Sequence, residues 1–402
     1  MPAHPWDTWV PGALGRKQLG ALIDGRFLLG AERTSIQASA LDLHLSNEAF
    51  ILNKGSVKPT EPSHLEFLRQ RGLVTSLEPR ADGSYLLQAH RTYLFKLRER
   101  LDRVRDLGEC GMYGQATAKS SVGRVDVLAR LIVDGMSGYE GFVPEDLSHS
   151  NGELFLEITP ITFSVLVKPG ISLSQLRFFY GRPEDSEIRS IQLWNTVLKE
   201  RDPNSREGSL SVDLTNRLIA DIPAAAFCAD VGQGAEAEVP LWTEGGSNKP
   251  DPCAYWDIVA ADPDGRLQIQ TNKFYILRSK ERIAMPRSVA VYCRAIDETI
   301  GEMRIHYAGF VHPCFGLHRA DGVVGTPLIF EVRGHDLDVN LGQGEIMARL
   351  SFYRMSEEAD EEGDVSTYDT QELQLSKFFA SWPPRLERRP NGTLRPSDAH
   401  AA

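Results

Sequence analysis

The stretch Glu153–Phe179, ELFLEITPITFSVLVKPGISLSQLRFF, decides the reading of the fold. It sets an apolar run (Leu154–Ile158), a polar turn, TFSVLV (Thr162–Val167), Lys168-Pro169-Gly170 and a further apolar run in succession. Proline presets φ and glycine accepts φ > 0, so Pro-Gly between apolar runs is a turn with a mechanism. The same text returns later in the chain. LIFE (Leu328–Glu331), Gly344, Leu350 and Phe352 each stand 174 residues after LFLE (Leu154–Glu157), Gly170, Leu176 and Phe178. Register held across a strand, a turn and the next strand predicts two copies of one mostly β unit. YILRSKERI (Tyr275–Ile283) echoes YLFKLRERL (Tyr93–Leu101), and VDL (Val212–Leu214) echoes LDL (Leu41–Leu43).

The expected organisation is a first repeat over 1–180, a connector over 181–207, a second repeat over 208–385 and a flexible tail over 386–402. Leu19, Leu22 and Ile23 at helical intervals predict a short N-terminal helix within 16–30. SIQASALDLHLS (35–46) alternates as a half-buried strand does.

At 402 residues the chain is comfortable for two domains, and 42% hydrophobic with 25% charged residues is ordinary for a globular protein. The opening MPAHPWDTWVPGALG has no basic region followed by an apolar run, so no signal peptide is read there. No apolar stretch approaches the roughly 18 residues that span a bilayer. The five scattered cysteines suggest a reducing setting, and a cytoplasmic location is expected. A net charge of -11 argues against broad nucleic-acid binding, which needs a basic footprint.

The densest chemistry lies in AKSSVGRVDVLARLI (118–132). Lys119, Ser120, Ser121 and Arg124 put two cations and two hydroxyls within six residues, a donor set suited to phosphate oxygens. Glu157 is a lone carboxylate inside an apolar strand-like run. It is either a solvent-facing strand residue or an acid tuned by a half-buried pocket.

KSSVGR resembles the Arg-Ser-Ser-x-x-Arg motif of the dCTP deaminases, a branch of the trimeric dUTPase-like β-fold, with Lys119 in place of the first arginine. LFLE with the Pro-Gly turn and the Leu-x-Phe that follows is similar to the family's stretch around its catalytic glutamate. ASALDLHLS is similar to its N-terminal strand. YDTQELQLSKFF (368–379) is similar to its C-terminal segment, which implies Tyr368 and Lys377 as groups closing over the triphosphate. Asp134, Tyr139 and Gly141 resemble the base-binding hairpin with a longer loop. GFVHPCFG (309–316) resembles that hairpin in spacing, with His312 and Phe315 in it and His312 where an aspartate is usual.

The resemblance implies a mainly β fold of two tandem dUTPase-like distorted β-barrel or jelly-roll units with a few short helices. It implies dCTP as substrate, hydrolysed to dUTP and ammonia, with a glutamate as general acid and base. It implies Mg²⁺ carried on the triphosphate with no metal ligand from the protein, dTTP or dUTP as effector or product, and a homo-oligomer with three-fold symmetry. Zinc is not expected. His64-Leu65-Glu66 fits half of the zinc-deaminase signature, but neither Pro252-Cys253 nor Pro313-Cys314 is followed by the second cysteine that signature needs. His64 is therefore read as an ordinary surface residue.

The second repeat carries Asp297-Glu298-Thr299 where the phosphate cluster should stand, and two acids there would repel a triphosphate. Either repeat 1 forms a ring of its own, making Glu157 catalytic, or KSSVGR of one repeat meets the other, making Glu331 catalytic. The lean is to Glu331, whose repeat carries the hairpin of more family-like length and the closing segment. A dUTP or dCTP diphosphohydrolase and a non-catalytic deoxynucleotide sensor are the alternative functions.

Overall fold

A computed structural model describes residues 4–59, 63–147, 149–200, 208–230, 238–243, 249–295, 303–305, 309–317, 321–360, 370–388 and 394–397. The first repeat contains, in order, α1 (Arg16–Asp24), β1 (Leu41–Leu52), α2 (His64–Gln70), β2 (Tyr93–Leu101), β3 (Met112–Ala118), the single helical turn α3 (Ser120–Gly123), β4 (Val127–Val133), β5 (Glu153–Pro160) and β6 (Ser172–Tyr180). The second contains α4 (Ile191–Val197), β7 (Ser209–Ser211), β8 (Ala226–Ala229), β9 (Phe274–Ile283), β10 (Val289–Ala295), β11 (Thr326–Gly334) and β12 (Ile346–Arg354).

Alternation builds these strands. In β2, Phe95, Leu97 and Leu101 are buried while Arg98 and Arg100 are exposed, as in a strand with one face on a core. Repeat 1 forms a curved, barrel-like sheet in the order β4-β5-β2-β1-β6-β3, with Gly141–Phe142 added beside β3. Repeat 2 divides the corresponding strands between two sheets. In one, β8, β9 and β11 are successive neighbours; in the other, β12 lies between β7 and β10. The fold is thus mainly β, as expected.

The duplication holds at the level of single hydrogen bonds. Glu157 lies opposite Leu94 and Ile158 opposite Tyr93, while Glu331 lies opposite Ile276 and Val332 opposite Tyr275. The Tyr93 hydroxyl accepts the Gln88 N–H at 2.8 Å, and the Tyr275 hydroxyl accepts the Gln270 N–H at 3.1 Å. Gly170 (φ 89°) and Gly344 (φ 80°) are both left-handed turn residues, where a side chain would strain the backbone.

One echo is out of register. The Gly170 N–H donates to the Leu45 carbonyl at 2.8 Å and the Gly344 N–H to the Val212 carbonyl at 3.0 Å. Glu99 accepts the His44 backbone N–H at 2.7 Å, and Glu281 accepts that of Ser211 at 2.7 Å. Val212 therefore occupies the place of Leu45, not of Leu41, and the VDL–LDL match is displaced by four residues. Residues within the expected connector also join repeat 2: Glu187–Ile188 pairs with β12 and Leu198–Lys199 with β9.

The repeats meet in shared apolar clusters, while repeat 2 keeps a further cluster of its own. Phe163 and Val165 of the first pack in a common apolar cluster with Phe227, Trp256 and Ile276 of the second. Phe179 stacks on Tyr113 at 4.7 Å and meets Tyr353 edge-on at 5.2 Å. Each such side chain taken out of water contributes about 1.5–3 kcal/mol. Arg177, fully buried, crosses the boundary to donate to the Val291 carbonyl at 3.1 Å and packs on the Phe310 ring. No described helix is long and apolar enough to cross a membrane.

Candidate active site

The KSSVGR segment leaves β3, turns once in α3 and enters β4. Lys119 caps the turn: its carbonyl accepts the Val122 N–H at 2.8 Å and the Gly123 N–H at 3.1 Å. That turn leaves Ser120 exposed, Ser121 buried and Lys119 half-buried. The Lys119 ammonium donates to Asp42 Oδ2 at 2.6 Å, and Gln37 donates to the same oxygen at 3.0 Å. Asp42 Oδ1 is buried with no hydrogen-bond partner among the described residues.

Arg124 is 1% exposed and lies against repeat 2, its Nε 4.0 Å from Glu331 Oε1. It donates to Ser120 Oγ at 3.2 Å, to the Gln374 carbonyl at 3.2 Å and to Gln371 Oε1 at 2.5 Å. Arg124, read from sequence as a phosphate clamp, faces a carboxylate and the C-terminal segment. The segment is held a second time by the Ser376 hydroxyl, which donates to the Ser121 carbonyl at 2.7 Å. Lys377, half-buried on this segment, has its pKa lowered first by burial and then by the charge of Lys119.

Glu331 is 3% exposed, and its pKa is pushed up to about 8. Burial is the main cause; Arg124 opposes it and Asp126 adds to it. His312 is half-buried with Nδ1 3.3 Å from Ser39 Oγ, and Phe315 is buried. Burial, with Arg177 and Lys119 near by, holds the His312 imidazole down to about 3. It is a neutral ring.

Glu157 sits in different company. Ser56 Oγ lies 2.9 Å and 3.0 Å from its two oxygens, Tyr139 donates to Oε2 at 3.4 Å, and Arg130 pairs with Oε1. The Arg130 guanidinium also lies over the Tyr139 ring at 4.0 Å. Asp134 accepts the His64 backbone N–H at 2.9 Å and so anchors the first turn of α2. Tyr139 therefore joins the Glu157 cluster and Asp134 the start of α2, rather than the Arg124–Glu331 cluster. His64, expected on the surface, is 1% exposed, and burial lowers its pKa to about 4. It faces inward because α2 folds over the outer face of the sheet, with Leu65 and Leu68 in an apolar cluster with Phe50, Leu94 and Phe155.

Tyr368 and Asp297-Glu298-Thr299 lie outside the described residues. Sequence reasoning did not single out Asp42, Asp126, Arg130, Arg333 or Gln371. Asp126 and Arg333 carried a legible signal, since each stands two residues beyond a chosen site residue. Asp42 carried none, being 77 residues from Lys119 and brought to it only by the fold.

A mainly β chain in which hydroxyls and cations from one repeat adjoin a buried acid of the other has the parts of a nucleotide-processing enzyme. Two family models cover nearly all of it: the 2'-deoxycytidine 5'-triphosphate deaminase N-terminal domain matches residues 10–182 and the corresponding C-terminal domain residues 185–379. The chain belongs to the dCTP deaminase family. A crystal structure of 2'-deoxycytidine 5'-triphosphate deaminase from Agrobacterium tumefaciens is similar with a TM-score of 0.73 and 26% identity, over 87% of this chain and 99% of that one. A search of curated proteins returned no match.

Proposed function

We propose that the chain hydrolyses dCTP to dUTP and ammonia at one site per chain, with repeat 1 supplying the phosphate donors and repeat 2 the carboxylate, Glu331. The observation that carries this reading is the approach of Arg124 to Glu331 at 4.0 Å beneath the C-terminal segment. Glu157, by contrast, is already engaged by Arg130, Ser56 and Tyr139.

In this reading Lys119, Ser120, Ser121 and Lys377, joined by Tyr368, hold the triphosphate. Lys119 exchanges Asp42 for phosphate oxygen. Mg²⁺ arrives on the substrate, since the donors here are cations and hydroxyls, which suit phosphate rather than a metal ion. His312 and Phe315 stand at the base, and the neutral His312 ring can accept or donate one hydrogen bond. Arg124 orients Glu331 and anchors the segment that excludes water.

The chemistry needs a group that takes a proton and later returns one. Water adds to C4 of the cytosine ring while its proton passes to the Glu331 carboxylate. Glu331 then protonates the amino nitrogen, and the C4–N bond breaks to release ammonia. A carboxyl whose pKa lies about 8 exchanges protons readily in both directions near neutrality. No zinc step is needed in this scheme.

The test is dCTP with Mg²⁺, scored for both ammonia and pyrophosphate, on the wild type, Glu331→Gln and Glu157→Gln. Glu331→Gln should lose roughly 10²–10⁴ in kcat with nucleotide binding retained, while Glu157→Gln keeps ammonia release. Pyrophosphate as the product would make the chain a diphosphohydrolase. Loss in Glu157→Gln alone would move the chemistry to repeat 1.

A further inference from the structure

Asp126 stands two residues beyond Arg124, and Arg333 two residues beyond Glu331. The fold brings these four side chains together as two crossed pairs. Arg124 of repeat 1 faces Glu331 of repeat 2, and Arg333 of repeat 2 donates to Asp126 of repeat 1 through Nε at 3.2 Å and again through its NH2 group. Each repeat thus gives one acid and one cation to the boundary.

Asp126 is fully buried and held at φ 55°, a left-handed conformation that costs a non-glycine residue free energy. The Thr162 hydroxyl donates to its Oδ2 at 2.6 Å. Its Oδ1 is buried without a hydrogen-bond partner among the described residues, so the charge is only half answered. Arg333 donates further to the Asn272 carbonyl at 2.8 Å. The other carboxylate strand lacks the arrangement: Thr159, which holds the place of Arg333 there, donates to the Thr92 hydroxyl at 3.0 Å.

We propose that Asp126 and Arg333 are a positioning pair for the deamination, fixing Glu331 against the repeat-1 turn and balancing the charge that surrounds it. The inference rests on Glu331 being the catalytic carboxylate. Among the described residues, the charged and titratable groups around Glu331 are Arg124 and Asp126 from the repeat-1 turn, Arg333 on its own strand, Cys293 on β10 and Arg304, which stands opposite Arg333 on Met303–Ile305, the strand on the other side of β11. Across from it on β9 stands Ile276, which brings no charge, and the C-terminal segment brings the neutral Gln371.

Opposite signs are the signature. Asp126→Asn keeps the shape but leaves the Arg333 cation unbalanced, which favours the Glu331 carboxylate. The acidic limb of the kcat/KM–pH profile should then move down by about one pH unit. Arg333→Gln leaves a buried anion unbalanced and should move the limb up by a similar amount. Together the two substitutions should return it close to the wild type.

A pair that only packs would lower thermal stability without moving the limb, or would move it the same way in both variants. Either result overturns the proposal. Titration of the Glu331 carboxyl by ¹³C NMR gives the same readout if a variant is slow. Should Arg333→Gln fail to fold, Asp126→Asn decides alone, since its limb must fall. Activity retained in Glu331→Gln would instead overturn the assignment of the carboxylate. An inactive Glu331→Gln with unmoved limbs overturns the positioning pair and leaves that assignment intact.

Discussion

Glu331 keeps a proton that an exposed glutamate would have lost, and this has a consequence for folding as well as chemistry. Its pKa is raised from an ordinary 4.5 to about 8. Between those values the folded chain holds a proton that the unfolded chain has given up. Stability therefore falls as pH rises through the window, and the loss is complete above about pH 8. Glu331→Gln removes this one contribution. Its melting temperature relative to the wild type should climb steadily from pH 5 to pH 8 and then level off, which calorimetry at four pH values will show. A constant difference would mean that Glu331 is ionised in the folded protein throughout. Glu157 was open to the same reading from sequence, since both glutamates occupy the same place in LFLE and LIFE. Only their neighbours tell them apart, and Arg130, Ser56 and Tyr139 come from three separate parts of the chain.

The C-terminal segment Gln371–Phe379 has no regular secondary structure, yet its placement is specified by a few contacts. Gln371 donates to the Pro327 carbonyl at 2.8 Å and accepts from Arg124, while Ser376 donates to the Ser121 carbonyl at 2.7 Å. Removing one such hydrogen bond costs about 0.5–1.5 kcal/mol. Gln371→Ala and Ser376→Ala should each lower kcat/KM for dCTP by roughly three- to tenfold, chiefly through KM, with little change in melting temperature. Kinetics indistinguishable from wild type in both would show that the segment does not close on substrate. The family likeness of the C-terminal segment was legible because its text is long. VDL and LDL misled because a three-residue match has no neighbours to test it. Insertions fall in the loops between strands, so each strand keeps its own spacing to its twin, and only paired hydrogen bonds reveal which residues correspond.

That the chain is two copies of one β unit was legible in it, because strands, turns and glycines repeat in register. How the copies face each other was not, since the contact of Arg124 with Glu331 joins residues far apart in sequence. The packing now on view has one Arg124–Glu331 pair per chain and a repeat-1 carboxylate already satisfied within its own sheet. Glu331→Gln should accordingly bind one dCTP per chain by isothermal titration, and two per chain would mean that the Glu157 cluster opens.

Phe163, Phe227, Trp256 and Phe379, packed in one core across the two repeats, bear on how the protein answers to its own abundance. A site divided between freely diffusing partners comes apart on dilution. Here a covalent tether and a shared core hold the two halves at a fixed effective concentration, whatever the number of molecules in solution. Arg124 and Glu331 thus meet as readily in a scarce protein as in a plentiful one. That contact lies within one chain, so dilution alone does not part it.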